Sequence, residues 1–333
     1  MTSRLARGSS ALVVLALAAL GVRAETQATP PRPVRNDVVK AGREILVLRN
    51  HELKPGGHEA FYQFSRDSYW PFFERLGARV VGQWKVTAPD TAGAKNDDVY
   101  RLVRYASFEH WQATRQGPDV GLGGNGPAWE TGQQGLGDRG GLQTGSKGAY
   151  FLEGLTAPDS PRFMPGLAEQ YERVDGERPA ATDEKIPVRA GAAVQGREIV
   201  ELRYQRIRKG GFDRFSTGTL AAVWPWEEKL GARAIGQWKV VHPPAPNRTG
   251  DSAEFDEVIT MTRYASAAHR QAMGPDVAVY MGGNGPDWRA WHAALAEQRA
   301  VTIETRSELM EGHLFQSVPV YLPGVTERYR AVK

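Results

Sequence analysis

Apolar and polar positions alternate over Arg43–Asn50 (REILVLRN), a stretch rich in Ile, Leu and Val, which predicts a strand buried on one face. Gly56-Gly57 turns the chain, after which Phe61, Phe64 and Leu76 fall on one side of a helical stretch. Pro71 has no N–H to donate and predicts a kink or restart in that helix, while Gly77 predicts its C-terminal cap. Alternation returns over Arg79–Val86 and Val99–Tyr105, two further strands, and Ser107 is placed to cap a second helix. Inside that helical region Asn125-Gly126-Pro127 predicts a fresh start, with proline in the first turn where its missing N–H costs nothing. A last strand over Tyr150–Leu155 completes the order β-α-β-β-α-β, a ferredoxin-like unit.

The same pattern then runs a second time. Shifted by 154 positions, Arg43–Val86 aligns without a gap to Arg197–Val240, and twenty of the 44 positions are identical. After a loop that is longer in the second copy, the match resumes at an offset of 159: Arg104-Tyr105-Ala106-Ser107 meets Arg263-Tyr264-Ala265-Ser266, His110 meets His269, and GGNGP-x-W recurs at 123–129 and 282–288. Each copy is domain-sized, so this is a tandem duplication and not a solenoid. One sheet covered by helices on one side leaves its other face open, and a second copy in the same chain can bury it. The expected fold is therefore α+β, with two ferredoxin-like units docked through their sheets into a barrel. The boundaries read as 43–157 and 197–333, with 158–196 as linker.

The shared landmarks resemble the NIPSNAP family of dimeric α/β barrels. In the first copy these are Glu44-x-x-x-Leu48-Arg49, the glycine after the first strand, Trp70-Pro71-x-x-x-x-Leu76-Gly77, Gly82-x-Trp84 and Arg104-Tyr105-x-Ser107. In the second they are Glu198, Leu202-Arg203, Gly236-x-Trp238 and Arg263-Tyr264-x-Ser266. GGNGP-x-W lies outside that pattern. The resemblance implies a fold more than an activity, because the family has no settled catalytic mechanism. Its wider relatives include heme-degrading and cofactor-independent monooxygenases, an analogy at the level of fold.

The N-terminus reads as an export signal. Arg4 and Arg7 precede an apolar run from Ala11 to Val22, and Val22-Arg23-Ala24 offers a cleavage site. That run is too short to span a bilayer, so no stable membrane span is expected after cleavage at 1–24. Glu25 to Val39 is proline-bearing, and 25–42 reads as a tether. The expected location is periplasmic or secreted. Without Arg4, Arg7 and Arg23 the chain keeps 39 basic against 38 acidic side chains, a balance that gives no footing for nucleic acid. The chain has no cysteine, which excludes disulfides, thiolate metal sites and cysteine nucleophiles.

The candidate chemistry is sparse. His110 and His269 recur three residues past a helix cap and stand as heme or metal ligands, as bases, or as inherited structural histidines, the last being the commoner case. This pair alone admits heme; no other cofactor and no metal-ligand set is legible. Arg49 and Arg203 lie on the strand face opposite Leu48 and Leu202. With the leucines towards the helices, the arginines face the inter-sheet space with Glu201, Arg101 and Thr260, either as a structural ion pair or as a clamp for an anionic small molecule. Asn125 and Asn284, in the glycine-rich turns, are candidates to hold an anion beside a helix start. Trp84 and Trp238 alternate away from their polar neighbours and read as core. After the first GGNGP-x-W the chain has glycine at 132, 135, 137, 140, 141, 145 and 148, which predicts a lost helix or a flexible lid, whereas 287–300 (DWRAWHAALAEQRA) predicts a helix. Three function classes follow, in this order: a binding or interaction scaffold of the cell envelope; a small-molecule enzyme of the α/β-barrel kind (cofactor-free or heme-linked monooxygenase or isomerase); and a structural assembly module. Association of two such chains as a homo-oligomer stays open.

Overall fold

The computed structural model describes residues 44–76, 78–89, 95–115, 127–156, 171–173, 197–229, 232–242, 250–273, 285–314 and 329–331. The expected signal and tether, Gly77, Asn125 and Asn284 lie outside them. In the first half the strands are β1 (Ile45–Leu53), β2 (Arg79–Ala88), β3 (Asp97–Tyr105), a short β4 (Gln143–Gly145) and β5 (Ala149–Thr156). Within the expected linker, β6 (Tyr171–Arg173) pairs with β11 (Tyr329–Ala331). The second half supplies β7 (Ile199–Arg208), β8 (Arg233–Val241), β9 (Phe255–Tyr264) and β10 (Thr302–Leu314). Helices α1 (His58–Phe64), α2 (Trp70–Arg75), α3 (Phe108–Ala113) and α4 (Pro127–Leu142) belong to the first half. Their counterparts are α5 (Phe212–Gly218), α6 (Trp224–Lys229), α7 (Ala267–Ala272) and α8 (Pro286–Val301).

Eight strands close into an antiparallel barrel in the order β1, β3, β2, β10, β7, β9, β8, β5 and back to β1. The two seams between halves are β2 with β10 and β5 with β8. At each seam a glycine stands opposite the tryptophan of the repeated GQWKV: Gly312 opposite Trp84 and Gly154 opposite Trp238. A Cβ on Gly154 would come within 2.5 Å of the Gln237 carbonyl oxygen, so only glycine permits this approach. Trp84 and Trp238 are fully buried in the barrel, as their alternation predicts.

The barrel is filled by Leu46, Leu48, Leu102, Leu202, Met261 and Met310 together with both tryptophans. Ile45 and Val47, on the other face of β1, pack instead against Tyr62, Tyr69, Trp70 and Phe73 of the helical layer. The expected orientation of the arginines is therefore reversed. Arg49 and Arg203, with Glu201, Arg101 and Thr260, face the helices and not the space between the sheets. The reason is physical: a closed lumen offers charge no route to water or partner, so it takes the leucines, while the helix-covered face meets solvent at its margins.

Each first helix opens out into a π turn, at Ser65–Tyr69 and at Thr219–Val223, before Trp-Pro restarts it. The restart expected at Pro71 thus has this form, and the widened turn relieves the clash a proline ring makes with the preceding carbonyl. The glycine-rich segment is neither lid nor lost: α4 is a 16-residue helix, the same length as α8. Glycine costs a helix about 1 kcal/mol per residue relative to alanine, but tertiary packing overrides that cost here. A Cβ at Gly132 would stand 2.9 Å from Phe72 Cβ, and one at Gly135 2.5 Å from Ser68 Cβ, so these two positions let α4 lie directly on α2 and the π turn. Gly137, Gly140 and Gly141 face open space, and nothing in the structure explains them.

Candidate functional site

The repeated landmarks prove to be partners of one another. Arg104 meets Glu44 at 2.6 Å, and Arg263 grips Glu198 through two bonds of 3.0 and 2.6 Å, tying the start of the first strand of each half to the end of its third. Asp97 accepts from Gly56 N at 2.9 Å and Asp256 from Gly210 N at 2.8 Å, fixing turns in which both glycines sit at φ +76°. His110 is fully buried and both its ring nitrogens are engaged: Nδ1 accepts from Ala106 N at 3.0 Å and Nε2 donates to the Leu76 carbonyl at 2.6 Å. It pins α3 to the end of α2, with no lone pair left for heme iron or a metal. His269 is equally buried and accepts from Ala265 N at 3.1 Å. Among the described residues no group of three or more His, Cys, Asp or Glu is placed to hold a metal, and no helix is long and apolar enough to cross a membrane.

The helix-facing side of the sheet carries different chemistry in the two halves. In the second half the charges are matched. Glu201, 2% exposed, accepts two bonds from Arg270 (3.0 and 2.9 Å), one from Arg203 (3.1 Å) and one from the Tyr264 hydroxyl (3.2 Å). Burial pushes its carboxyl up, but the charges and hydrogen bonds of Arg203 and Arg270 outweigh that and hold it at about 2. Glu227 on α6 is raised to about 7 by burial, with Glu201 adding to the rise and Arg203 opposing it. The ion pair expected between Glu201 and Arg203 is thus present, in a larger network that Arg270 joins with two hydrogen bonds.

In the first half the same positions carry no carboxylate. Val47 stands where the second half has Glu201, and Phe73 where it has Glu227; arginine is added, Arg101 in place of Thr260 and Arg139 in place of Gln298. Arg49 lies directly across from Arg101 in the β1–β3 register. Arg139 on α4 is 1% exposed and stacks over Phe61 and Tyr69, 4.4 and 4.5 Å from their ring centres. Arg101, 3% exposed, lies over Tyr69 and Phe73 at 5.8 Å. Arg115, exposed, donates to the Tyr105 hydroxyl at 3.2 Å and marks the side on which the cluster meets solvent. No acceptor is found for Arg49 Nε, for Arg101 Nε and Nη1, or for Arg139 Nε and Nη2. The electrostatics agree: burial first, and then the neighbouring guanidiniums, lowers Arg49, Arg101 and Arg139, the last to about 9. Aromatic faces supply some of the missing counter-charge, each worth up to about 2 kcal/mol when desolvated.

His51 completes the cluster. It is 4% exposed, leans on Phe61 with ring centres 5.1 Å apart, and holds Gln143 Oε1 through Nδ1 at 3.0 Å. Its Nε2 is buried without a partner.

Sequence reasoning found Arg49, Arg101, Arg203 and Glu201 but missed Arg139, His51, Glu227 and Arg270. Arg139 was hidden in a segment whose glycines argue against helix. A usable signal existed in the alignment of the copies, where Glu201 and Glu227 face Val47 and Phe73: charge balance broken in one half only.

No family model matches the chain, and no curated protein matches it. Among solved structures, a candidate monooxygenase from Lactobacillus acidophilus NCFM aligns over 82% of this chain and 100% of its own, at 8% identity and a TM-score of 0.45. An anthrone oxidase-like protein aligns over 85% and 97%, at 12% identity and 0.42. A NIPSNAP family protein from Agrobacterium tumefaciens str. C58 aligns over 35% of this chain and 87% of its own, at 20% identity and 0.25. Likeness at this level assigns this chain neither a family nor an activity.

Proposed function

We propose that this chain is an exported binding protein of the cell envelope that captures a small anionic molecule between the sheet and the helices of its first half. The observation that carries the reading is the pair Arg101 and Arg139, each at least 97% buried: Arg101 Nε and Nη1 and Arg139 Nε and Nη2 meet no acceptor, and the one side-chain hydrogen bond that eases Arg139 goes to the neutral Tyr69 and not to a carboxylate. A buried charge without a partner costs several kcal/mol, and an oxyanion gripped by planar guanidinium forks offsets that cost. The second half supports the reading by contrast. There the chain supplies its own carboxylate, Glu201, held at four hydrogen bonds in the place where the first half has Val47.

The wider frame is part of the same proposal: two ferredoxin-like units of NIPSNAP type at 43–157 and 197–333, a linker at 158–196, a tether at 25–42, and a signal removed after Ala24 for delivery to the periplasm or beyond. A second reading, proton-transfer chemistry in the second half, has one observation in its favour. Glu227 at about 7 would exchange a proton near neutral pH, as a general acid or base must.

The test is native mass spectrometry and calorimetry on the mature chain with a panel of small carboxylates and inorganic phosphate. Wild type and Arg270→Met should bind at least one of them, and Arg101→Met should lose it while keeping its circular dichroism. If wild type takes up no anion, or Arg101→Met binds as well as wild type, the reading is wrong.

A further inference from the structure

His51 gives the anion cluster a second, opposite demand. The oxygen of the Gln143 side chain can only accept, so the 3.0 Å contact makes His51 Nδ1 the donor. Burial, followed by the charges of Arg101, Arg139 and Arg49, lowers the ring well below its ordinary value, so the imidazole is neutral and carries one proton. With that proton on Nδ1, Nε2 is a bare lone pair, buried and without a donor. The arrangement is unusual in one respect. Guanidinium N–H groups without acceptors and an imidazole lone pair without a donor share one cluster, yet they do not satisfy each other.

Resting on the anion-binding reading above, we infer that the first-half site recognises a hydroxylated organic acid, its carboxylate taken by Arg101 and Arg139 and its hydroxyl donating to His51 Nε2. A simple carboxylate would satisfy the arginines and leave the lone pair buried and unpaired. A hydroxy acid meets both demands, and a buried polar group left unpaired is what makes such a site reject the analogue that lacks the hydroxyl. Gln143 is then a positioning residue: it fixes the tautomer and keeps the lone pair turned into the site, as the partner of a working histidine commonly does.

The experiment compares matched acids on the full mature chain by calorimetry: benzoate against 2-, 3- and 4-hydroxybenzoate, butyrate against 3- and 4-hydroxybutyrate, and inorganic phosphate as a separate arm. Wild type should bind at least one hydroxy acid about tenfold or more tighter than its parent. In His51→Leu that ratio should fall to near one. His51→Gln, which keeps an acceptor, should recover part of it, and Gln143→Leu should lose part. Phosphate bound more tightly than every carboxylate would overturn the choice of an organic acid. Equal affinity for parent and hydroxylated acids in wild type, or a preference that survives in His51→Leu, would overturn the role of His51 while leaving the anion site standing. Failure of every anion to bind would instead remove the reading on which this rests.

Discussion

Replacing Arg139 by methionine should make the ligand-free protein more stable, although it removes a buried side chain from a helix in contact with the core. The charged form of Arg139 is disfavoured by burial first and by Arg101 next, which brings its ordinary value of 12.5 down to about 9. That displacement corresponds to roughly 5 kcal/mol carried by the folded state. The sign follows from linkage. A base whose folded pKa is depressed destabilises fully below that pKa, and the cost fades only as pH rises from about 9 towards the unfolded value, so all of it is present at pH 7. Stacking on Phe61 and Tyr69 returns about 0.5–2 kcal/mol per ring, leaving a net cost of roughly 1–4 kcal/mol. Methionine matches arginine in helix propensity and packs well on aromatic rings. The expected gain in melting temperature at pH 7, by calorimetry, is about 2–8 °C. A contrasting substitution in the second half fixes the interpretation. Arg270→Met removes one of the partners of Glu201, a carboxylate 2% exposed, and should cost about 2–4 kcal/mol. Opposite signs for one chemical change in two halves of one fold is the signature. A fall of several degrees for Arg139→Met would refute the reasoning, because it would mean that Arg139 has a counter-charge in the folded protein.

Gly137→Ala, Gly140→Ala and Gly141→Ala should each stabilise α4 by about 0.5–1 kcal/mol, since a Cβ there meets nothing, whereas Gly135→Ala should destabilise; chemical denaturation ranks the four. Glu227→Gln should remove a pH slope. A carboxyl raised to about 7 keeps its proton in the folded state, so wild-type stability should fall relative to the variant as pH rises from about 4.5 to 7, and parallel stability curves across that window would rule it out. Gly154→Val should split the β5–β8 seam, and a variant with wild-type melting temperature would contradict the close strand approach described at Trp238. Residues 43–157 and 197–333 expressed apart should be insoluble or bind one another, and two stable, indifferent monomers would contradict a barrel closed by both seams.

The barrel was legible because a strand's period of two and a duplication leave little freedom. Strands with one apolar face, twice over, must meet somewhere. Which face would meet was not legible from alternation alone. Leu48 and Arg49 are neighbours on one strand, and swapping inside for outside flips both, so the pattern is the same in either assignment. The helix α4 was misread for a related reason. Its glycines lower local propensity, and the compensation lies 60 to 70 residues away at Ser68 and Phe72, which no local rule can see. Arg139 was lost with it, because a side chain's role depends on the element that carries it.

What duplication left behind is the most informative comparison in the molecule. Two copies of one unit place a strand arginine at the same point, Arg49 and Arg203, yet one is embedded among cations and the other beside Glu201. A structural charge cluster needs its counter-ion inside the fold, and the second half shows that this scaffold can provide one. The first half has valine and phenylalanine at the two positions that would neutralise it, and carries arginine at two more. A charge imbalance built from four positions on two strands and two helices is costly in the free protein. It is what a site for a soluble anion requires, because a carboxylate fixed in the chain would compete with any that arrived from outside.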